Sequence, residues 1–352
     1  MQSKYTPRGA RILGASLERP FRLKFPARLP GRYVRNRLLT AVLVFLVVWV
    51  INFILPRLEP GNTINIILSN EVLPAQRQQI MQQLGINQPW NLQFIGYVKN
   101  TIGSFPPNFG YSFAHYPLTV WTLVSAALPW TLLLVGISQI FAWSFGTLLG
   151  AWLAWHRGSK ADSLMFGVSN FMWGVPSYWI ATILIYIFAI QLHVFPPSLS
   201  TNGLVTGIGL SEALDIMSHS FLPIATLVIL TLPQHALVMR NTMVNVLEED
   251  FVAAAESRGL KTRTLILGVA ARNALLPSIT NLALSFGAIL SGAYLIEILF
   301  SFPGMGYLIE QAALTRDIPV LEGVFFFSAI LVIIANVIAD FAYPYIDPRV
   351  EY

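Results

Sequence analysis

The chain has 352 residues, 55% of them hydrophobic and only 11% charged, against about a quarter charged in an ordinary water-soluble domain. With a mean hydropathy of +0.61 and several apolar runs near the ~20 residues that cross a bilayer, this composition excludes a soluble fold and makes lipid the solvent. The net charge of +5 does not mark a nucleic-acid binder, because ten of the 22 Lys and Arg fall in residues 1–37, directly ahead of the first apolar run.

In chain order, residues 1–37 form a basic segment broken by Pro7, Pro20, Pro26 and Pro30, a composition that suits a flexible or membrane-surface stretch. Leu38–Leu55 is the first candidate span. No small-residue cleavage site follows it before Pro56 and Arg57, so it is read as a retained helix rather than a secretory signal. Residues 56–118 are a long polar insertion with a helix-like stretch around Pro74–Leu84. Its aromatic residues Trp90, Phe94, Tyr97, Phe105, Phe109 and Tyr111 are of a kind that disordered linkers lack, which predicts a small folded cap. Residues 119–346 hold five further candidate spans, Trp130–Trp155, Leu164–Ile190, Phe221–Met239, Leu275–Leu299 and Gly323–Tyr345, and residues 347–352 form a short tail. Apolar runs of this length must satisfy every backbone polar group internally, so they are helices. The expected fold is therefore all-α and polytopic, with six transmembrane helices.

Basic residues set the orientation, since Lys and Arg beside short loops favour the cytoplasm. With the amino terminus inside, 18 of the 22 lie on the cytoplasmic side, and only Arg57, Arg77, Lys99 and Arg316 lie outside. Both termini are then cytoplasmic and the insertion 56–118 is extracellular.

The cytoplasmic stretch 248–277 is longer than a connector needs. Glu248, Glu249 and Asp250 place acid at a helix start, Phe251, Ala254, Ala255 and Arg258 follow at helical spacing, and Gly259 ends the helix before Leu260, Lys261 and Arg263. Such a helix either docks a partner or lies on lipid, and the residues alone leave both open.

Few groups offer chemistry. The chain has no cysteine, and His115, His156, His193, His219 and His235 never fall at i, i+4, so no metal is expected. There is no G-x-x-x-x-G-K-[ST] loop to hold nucleotide phosphates and no cluster of acid, base and nucleophile, so no enzyme activity and no bound cofactor are expected. Glu297 and Asp340 are the carboxylates placed within spans, with capping or pairing roles. Gln139, Trp173, Ser177, Gln234 and His235 are candidate pathway residues, alongside Gly174, Pro176 and Pro233; the alternative for the proline-bearing positions is a packing kink.

The segment Ala253-Ala254-Ala255-Glu256-Ser257-Arg258-Gly259, continuing through Arg272, Asn273 and Pro277, resembles the cytoplasmic EAA loop of ABC importer permeases in the dipeptide, oligopeptide and nickel group. Gly110-Tyr111-Ser112, Pro176-Ser177-Tyr178-Trp179, Glu297 with Phe300 and Pro303-Gly304-Met305-Gly306, Arg316-Asp317 with Pro319, and Asp347-Pro348-Arg349 follow in the same order as in that family. Leu84-Gly85-Ile86 with Pro89 is a further match, and together these cover nearly everything after residue 33. Ala253 stands where the general motif has Glu, a departure the peptide group shares, while the basic extension 1–32 and Asn62 are unusual.

The resemblance implies that Asp250, Phe251, Ala254, Ala255, Arg258, Gly259 and Leu260 form a coupling helix seated in a groove of an ATPase subunit. It further implies a homologous second permease, two cytoplasmic ATPases that carry ATP and Mg, an extracellular solute-binding protein and a plasma-membrane location. Peptide is the first expectation for the substrate, with oligosaccharide or nickel as alternatives. A stand-alone channel or ion-coupled carrier is the rival class, and it would work without ATPases.

Overall fold

The computed structural model describes residues 31–58, 88–198 and 209–346. The basic segment through residue 30, the helix expected over Pro74–Leu84 and the closing Asp347-Pro348-Arg349 lie outside the described residues. Within them the chain is helical, and its β-structure is an isolated bridge between Tyr111 and Thr119.

Ten helices are named in chain order: α1 (Gly31–Leu58), α2 (Trp90–Ile102), α3 (Val120–Trp155), α4 (Lys160–Gly174), α5 (Ser177–Leu184), α6 (Leu210–Leu247), α7 (Asp250–Ser257), α8 (Ala271–Leu299), α9 (Met305–Leu314) and α10 (Ile318–Ile346). A π-helical stretch, Ile185–Gln191, prolongs α5, and another, Leu265–Ala270, leads into α8. Among the described residues five helices are long and apolar enough to cross a membrane, and the bent pair α4–α5 supplies a sixth crossing if read as one span. The protein is thus an all-α polytopic membrane protein.

Two features differ from the sequence-based expectation. The long rods overrun their predicted spans: α3 has 36 residues and α6 has 38, about 54 and 57 Å at 1.5 Å per residue, against a hydrocarbon core of about 30 Å. Hydropathy sees only the apolar middle of each rod. The helices run on through Asp215, Ser218 and His219 at one end of α6, where Ser218 and His219 bond back to Asp215, and Arg240 to Asn245 at the other, where Arg240 reaches Asp162. The span expected as a single helix, Leu164–Ile190, is broken, with α4 and α5 meeting at 103°. Pro176 explains the break. It has no N–H to give and it forces Val175 out of the helical region, to φ −85°, ψ 123°.

Three apolar clusters hold the bundle. At one end, Trp49 and Phe53 of α1, Tyr97 of α2, Phe109, Val120 and Val124 of α3, and Val324 and Phe326 of α10 pack together. In the middle, Leu134 and Val135 of α3 meet Leu222 and Leu227 of α6 and Ala293, Ile296 and Phe300 of α8. At the other end, Ala151 and Ala154 of α3 meet Met239 and Met243 of α6 and Ala270, Ala271 and Ala274. The opposite face of α1 is bare, with Leu39, Leu43, Val47 and Ile51 exposed. In a water-soluble protein that would be a liability, but a membrane-spanning helix can present such a face to acyl chains or to another apolar helix.

Candidate functional site

The helix α7 stands at the end of α6, and its sequence gives it both boundaries. Glu249 is extended at φ −78°, ψ 144°, and Asp250 follows in the first turn, where a negative side chain complements the helix dipole. Gly259 closes it at φ +75°, a left-handed conformation that glycine adopts without penalty, and its N–H donates to the Glu256 carbonyl at 2.8 Å. Val252 is the residue of α7 that is buried, at 3% exposure; it pegs the helix to the bundle. Asp250, Phe251, Ala254, Arg258, Gly259 and Leu260 are all exposed and Ala255 is half-buried, so the seven residues expected to dock a partner share an open surface.

The root of α7 is tied to the turn between α3 and α4. Arg157 donates to the Glu248 carboxylate at 2.6 Å across a solvent-exposed gap. Arg240 of α6 grips Asp162 with two parallel bonds, Nε to Oδ1 at 2.9 Å and Nη2 to Oδ2 at 2.7 Å, the planar fork that guanidinium and carboxylate share.

The pathway candidates divide into two groups. Gln139 and His235 are buried at 0% and 1% exposure, in a junction of α3, α6 and α8. The His235 Nε2 lies 3.3 Å from Gln139 Oε1, and the Asn281 amide lies 3.3 Å from His235 Nδ1. Ser285 donates to the same Gln139 oxygen at 3.1 Å. The neutral tautomer with its proton on Nε2 satisfies both ring contacts. One and two turns along α3, Trp143 Nε1 donates to Ser278 Oγ at 3.1 Å and Thr147 lies 3.3 Å from the same hydroxyl. Gln234 is half-buried beside this junction. Trp173 and Ser177 lie apart from it at the α4–α5 break, Trp173 at 77% exposure and Ser177 half-buried.

Two glycines make the junction tight. A Cβ on Gly146 would sit 2.8 Å from the Leu232 carbonyl oxygen, and one on Gly150 would sit 2.3 Å from the Ala236 carbonyl oxygen. This G-x-x-x-G spacing lets two helix backbones touch, as small residues do where lipid removes any hydrophobic drive.

At the end of the bundle opposite α7, the carboxylates have structural tasks. Glu297 Oε2 accepts the Gly306 N–H at 2.6 Å, and Thr131 accepts the Met305 N–H at 2.8 Å, so α3 and α8 together cap the start of α9. A side chain on Gly304 would collide with the Glu297 carboxyl at 2.4 Å, which explains the spacing from Glu297 to Gly304 and Gly306. Asp317 accepts from the Ser112 hydroxyl and from the Ala114 N–H at 3.0 Å, joining the Gly110-Tyr111-Ser112 fragment to Arg316-Asp317. Arg57 donates to Glu322 at 2.6 Å and to the Phe53 carbonyl at 2.7 Å, while Asn52 bridges the Glu322 carbonyl and the Tyr97 hydroxyl. Burial, aided by nearby Glu322, pushes the Tyr97 phenol above its ordinary range. A cavity of about 670 Å³ opens beside this pair, lined by Gln93, Tyr97, Asn100, Asn108 and Trp121. Asp340, near the other end of α10 and so toward the α7 side of the bundle, pairs with Arg37 near the start of α1 at 3.3 Å.

Sequence reading missed Glu322 as a buried carboxylate because it lies one residue before the expected span at Gly323. It also missed the Asp162–Arg240 pair, whose partners are 78 positions apart. The Gly146–Gly150 spacing was open to view in the sequence.

Residues 146–352 match the family described as binding-protein-dependent transport system inner membrane component, and residues 31–135 match its N-terminal companion family. The chain is 30% identical over 320 residues to the oligopeptide transport system permease protein AppB of Bacillus subtilis, covering 91% of this chain and 99% of that protein. It is 31% identical over 335 residues to the di/tripeptide transport system permease protein DppB of Pseudomonas aeruginosa, with 91% and 98% covered. It is also 31% identical over 323 residues to a probable peptide ABC transporter permease of Sinorhizobium fredii, with 92% and 100% covered. A family of transport components, not of catalysts, accounts for the whole arrangement: the chain belongs to the inner-membrane permease subunits of binding-protein-dependent ABC importers.

Proposed function

We propose that this chain forms one half of the translocation pathway of an ATP-driven peptide importer in the plasma membrane, with both termini cytoplasmic. A homologous permease supplies the other half, two ATPase subunits holding ATP and Mg engage α7 and its counterpart, and an extracellular solute-binding protein delivers the substrate. The observation that carries this reading is α7 itself, an eight-residue helix held by the buried Val252, with Ala255 half-buried and its other residues exposed. Charge favours protein over lipid as that partner. Glu248, Glu249, Asp250 and Glu256 outnumber Arg258, Lys261 and Arg263, and a helix that lies on anionic lipid is rich in Lys and Arg. Phe251 at 36% and Leu260 at 42% exposure offer the apolar anchors that a groove rewards. Peptide as substrate is supported by the similarity to permeases of oligopeptide and di/tripeptide systems.

In this reading ATP-driven closure of the ATPases displaces α7 and shifts the population between inward- and outward-facing bundles. Trp173 and Ser177, at the break, are the pathway candidates open to a permeating solute. Gln139 and His235, enclosed between three helices, serve the path as the joint that keeps α3, α6 and α8 together.

The test is affinity purification of the tagged chain from membranes with identification of what accompanies it, alongside uptake of a radiolabelled tripeptide and a radiolabelled trisaccharide. Co-purification of two ATPases and a second permease, selective loss of the ATPases in Gly259→Pro, and tripeptide uptake support the proposal. Recovery of the chain alone, with uptake indifferent to Gly259→Pro, refutes it, and trisaccharide uptake without tripeptide uptake refutes the substrate.

A further inference from the structure

The helix α4 is an unusual member of the bundle. Of its 15 residues only Asp162 and Ser169 are buried, and it packs on α6 and the end of α3 without entering any of the three apolar clusters. With so little apolar area to hold it, its position depends on polar ties at its amino end. Ser159 caps its first turn by accepting the Asp162 N–H at 3.2 Å. Asp162 in turn accepts the Gly158 N–H at 3.0 Å, where Gly158 turns the chain at φ +78°. The remaining capacity of the carboxylate is taken by Arg240, through both nitrogens of the fork.

The other end of that grip is what matters. Arg240 sits on the last turns of α6, seven positions before Leu247, and Glu248, one residue further, holds Arg157 on the same turn. The helix α7 begins two residues later. The α3–α4 turn is therefore clasped at two points by the stretch of chain from which α7 grows. On the far side, α4 runs to the break at Val175–Pro176, where Trp173 and Ser177 lie. One rigid helix thus joins the root of α7 to the bend.

We propose that the Asp162–Arg240 clasp is the positioning element through which displacement of α7 moves the α4–α5 bend. The inference rests on the reading of α7 as the site where ATPases engage. A rod fastened by a bidentate ion pair at one end and by little apolar packing along its length follows the part it is fastened to. With the clasp loosened, α6 and α7 move and α4 stays behind: ATP is consumed and the bend does not respond. Asp162 and Arg240 touch neither solute nor nucleotide; they act through α4.

The experiment uses the assembled importer in proteoliposomes with its binding protein, measuring uptake of radiolabelled tri-alanine and ATP hydrolysis on the same samples. The wild type is compared with Asp162→Asn, Arg240→Lys and the double variant Asp162→Cys with Arg240→Cys. The native permease has no cysteine, so a short bifunctional thiol reagent can replace the ion pair with a covalent tie, with each single-cysteine variant as control. Asp162→Asn is expected to lower uptake about tenfold, within the range of a coupling interaction, with hydrolysis much less affected, so that ATP spent per peptide rises. Arg240→Lys, which keeps the charge and loses the fork, falls between. Cross-linking the double-cysteine variant is expected to restore uptake. Uptake and hydrolysis that fall in equal proportion to the amount of assembled complex, or a cross-linked variant that stays silent, overturn the inference alone. A wild-type complex without ATP-dependent uptake overturns the permease reading and the inference together.

Discussion

Replacing Gly150 with alanine puts a single carbon where the structure has none to spare. The added Cβ would lie 2.3 Å from the Ala236 carbonyl oxygen, 2.9 Å from Met239 Cβ and 3.0 Å from the Arg240 nitrogen, whereas ordinary contact begins at 3.4 Å. Two of the three obstacles are backbone atoms of α6, so no rotamer change relieves them, and the helices must part by roughly 1 Å in an interior packed as densely as a crystal. Overpacking of this kind costs about 1–3 kcal/mol, and each 1.4 kcal/mol is about tenfold in an equilibrium constant. Gly136 provides the internal control, since it lies on the same helix and a Cβ there meets nothing within 4 Å. There, alanine should be neutral or gain up to about 1 kcal/mol from helix propensity. Reversible unfolding in mixed detergent micelles, followed by tryptophan fluorescence, reads both variants on one scale. Gly150→Ala as stable as wild type, or Gly136→Ala as costly as Gly150→Ala, would refute the close-contact argument.

Three further outcomes follow from the same geometry. Glu297→Ala removes the acceptor for the Gly306 N–H and should cost about 1–3 kcal/mol, the penalty for an unsatisfied buried group, whereas Glu297→Gln keeps an oxygen there and should cost less; the same unfolding assay separates them. Arg57→Ala and Glu322→Ala each strand a charge whose partner is nearly enclosed, at 15% and 5% side-chain exposure, and each should destabilise by about 3–5 kcal/mol, with the double variant costing clearly less than the sum. Phe251→Asp and Leu260→Asp alter exposed apolar anchors on α7 and should weaken ATPase recovery by about 1–2 kcal/mol each, with stability of the isolated permease unchanged; a titrated pull-down checks this.

The sequence discloses this protein unevenly. The spans are legible because lipid leaves a one-dimensional record: apolar residues in runs of a fixed length, with Lys and Arg gathered at one side. The helix α7 is legible because its start and stop are local, from the acids at 248–250 to Gly259. What the sequence conceals is pairing between distant positions. Asp162 looks like a helix-start acid and Arg240 like a flanking base, and only the meeting of α4 with α6 makes them a clasp. Gln139 and His235 illustrate the converse. Polarity within a span marks them as pathway candidates, and polarity has the same appearance in sequence whether it faces a solute or closes a hydrogen bond between helices. The break at Pro176 was visible as a proline, yet its angle depends on which neighbours accept the two halves, and Pro129 and Pro233 lie in rods that pass through unbroken.

The right-angled join of α4 and α5 also constrains what surrounds the chain. Each helix end leaves backbone groups that its own helix cannot satisfy, and at Gly174 and Pro176 they come to an exposed surface. Hydrocarbon offers no hydrogen bonds, so acyl chains cannot lie against that notch. Where that notch meets the membrane, water or another protein is a better neighbour for its free backbone groups than acyl chains.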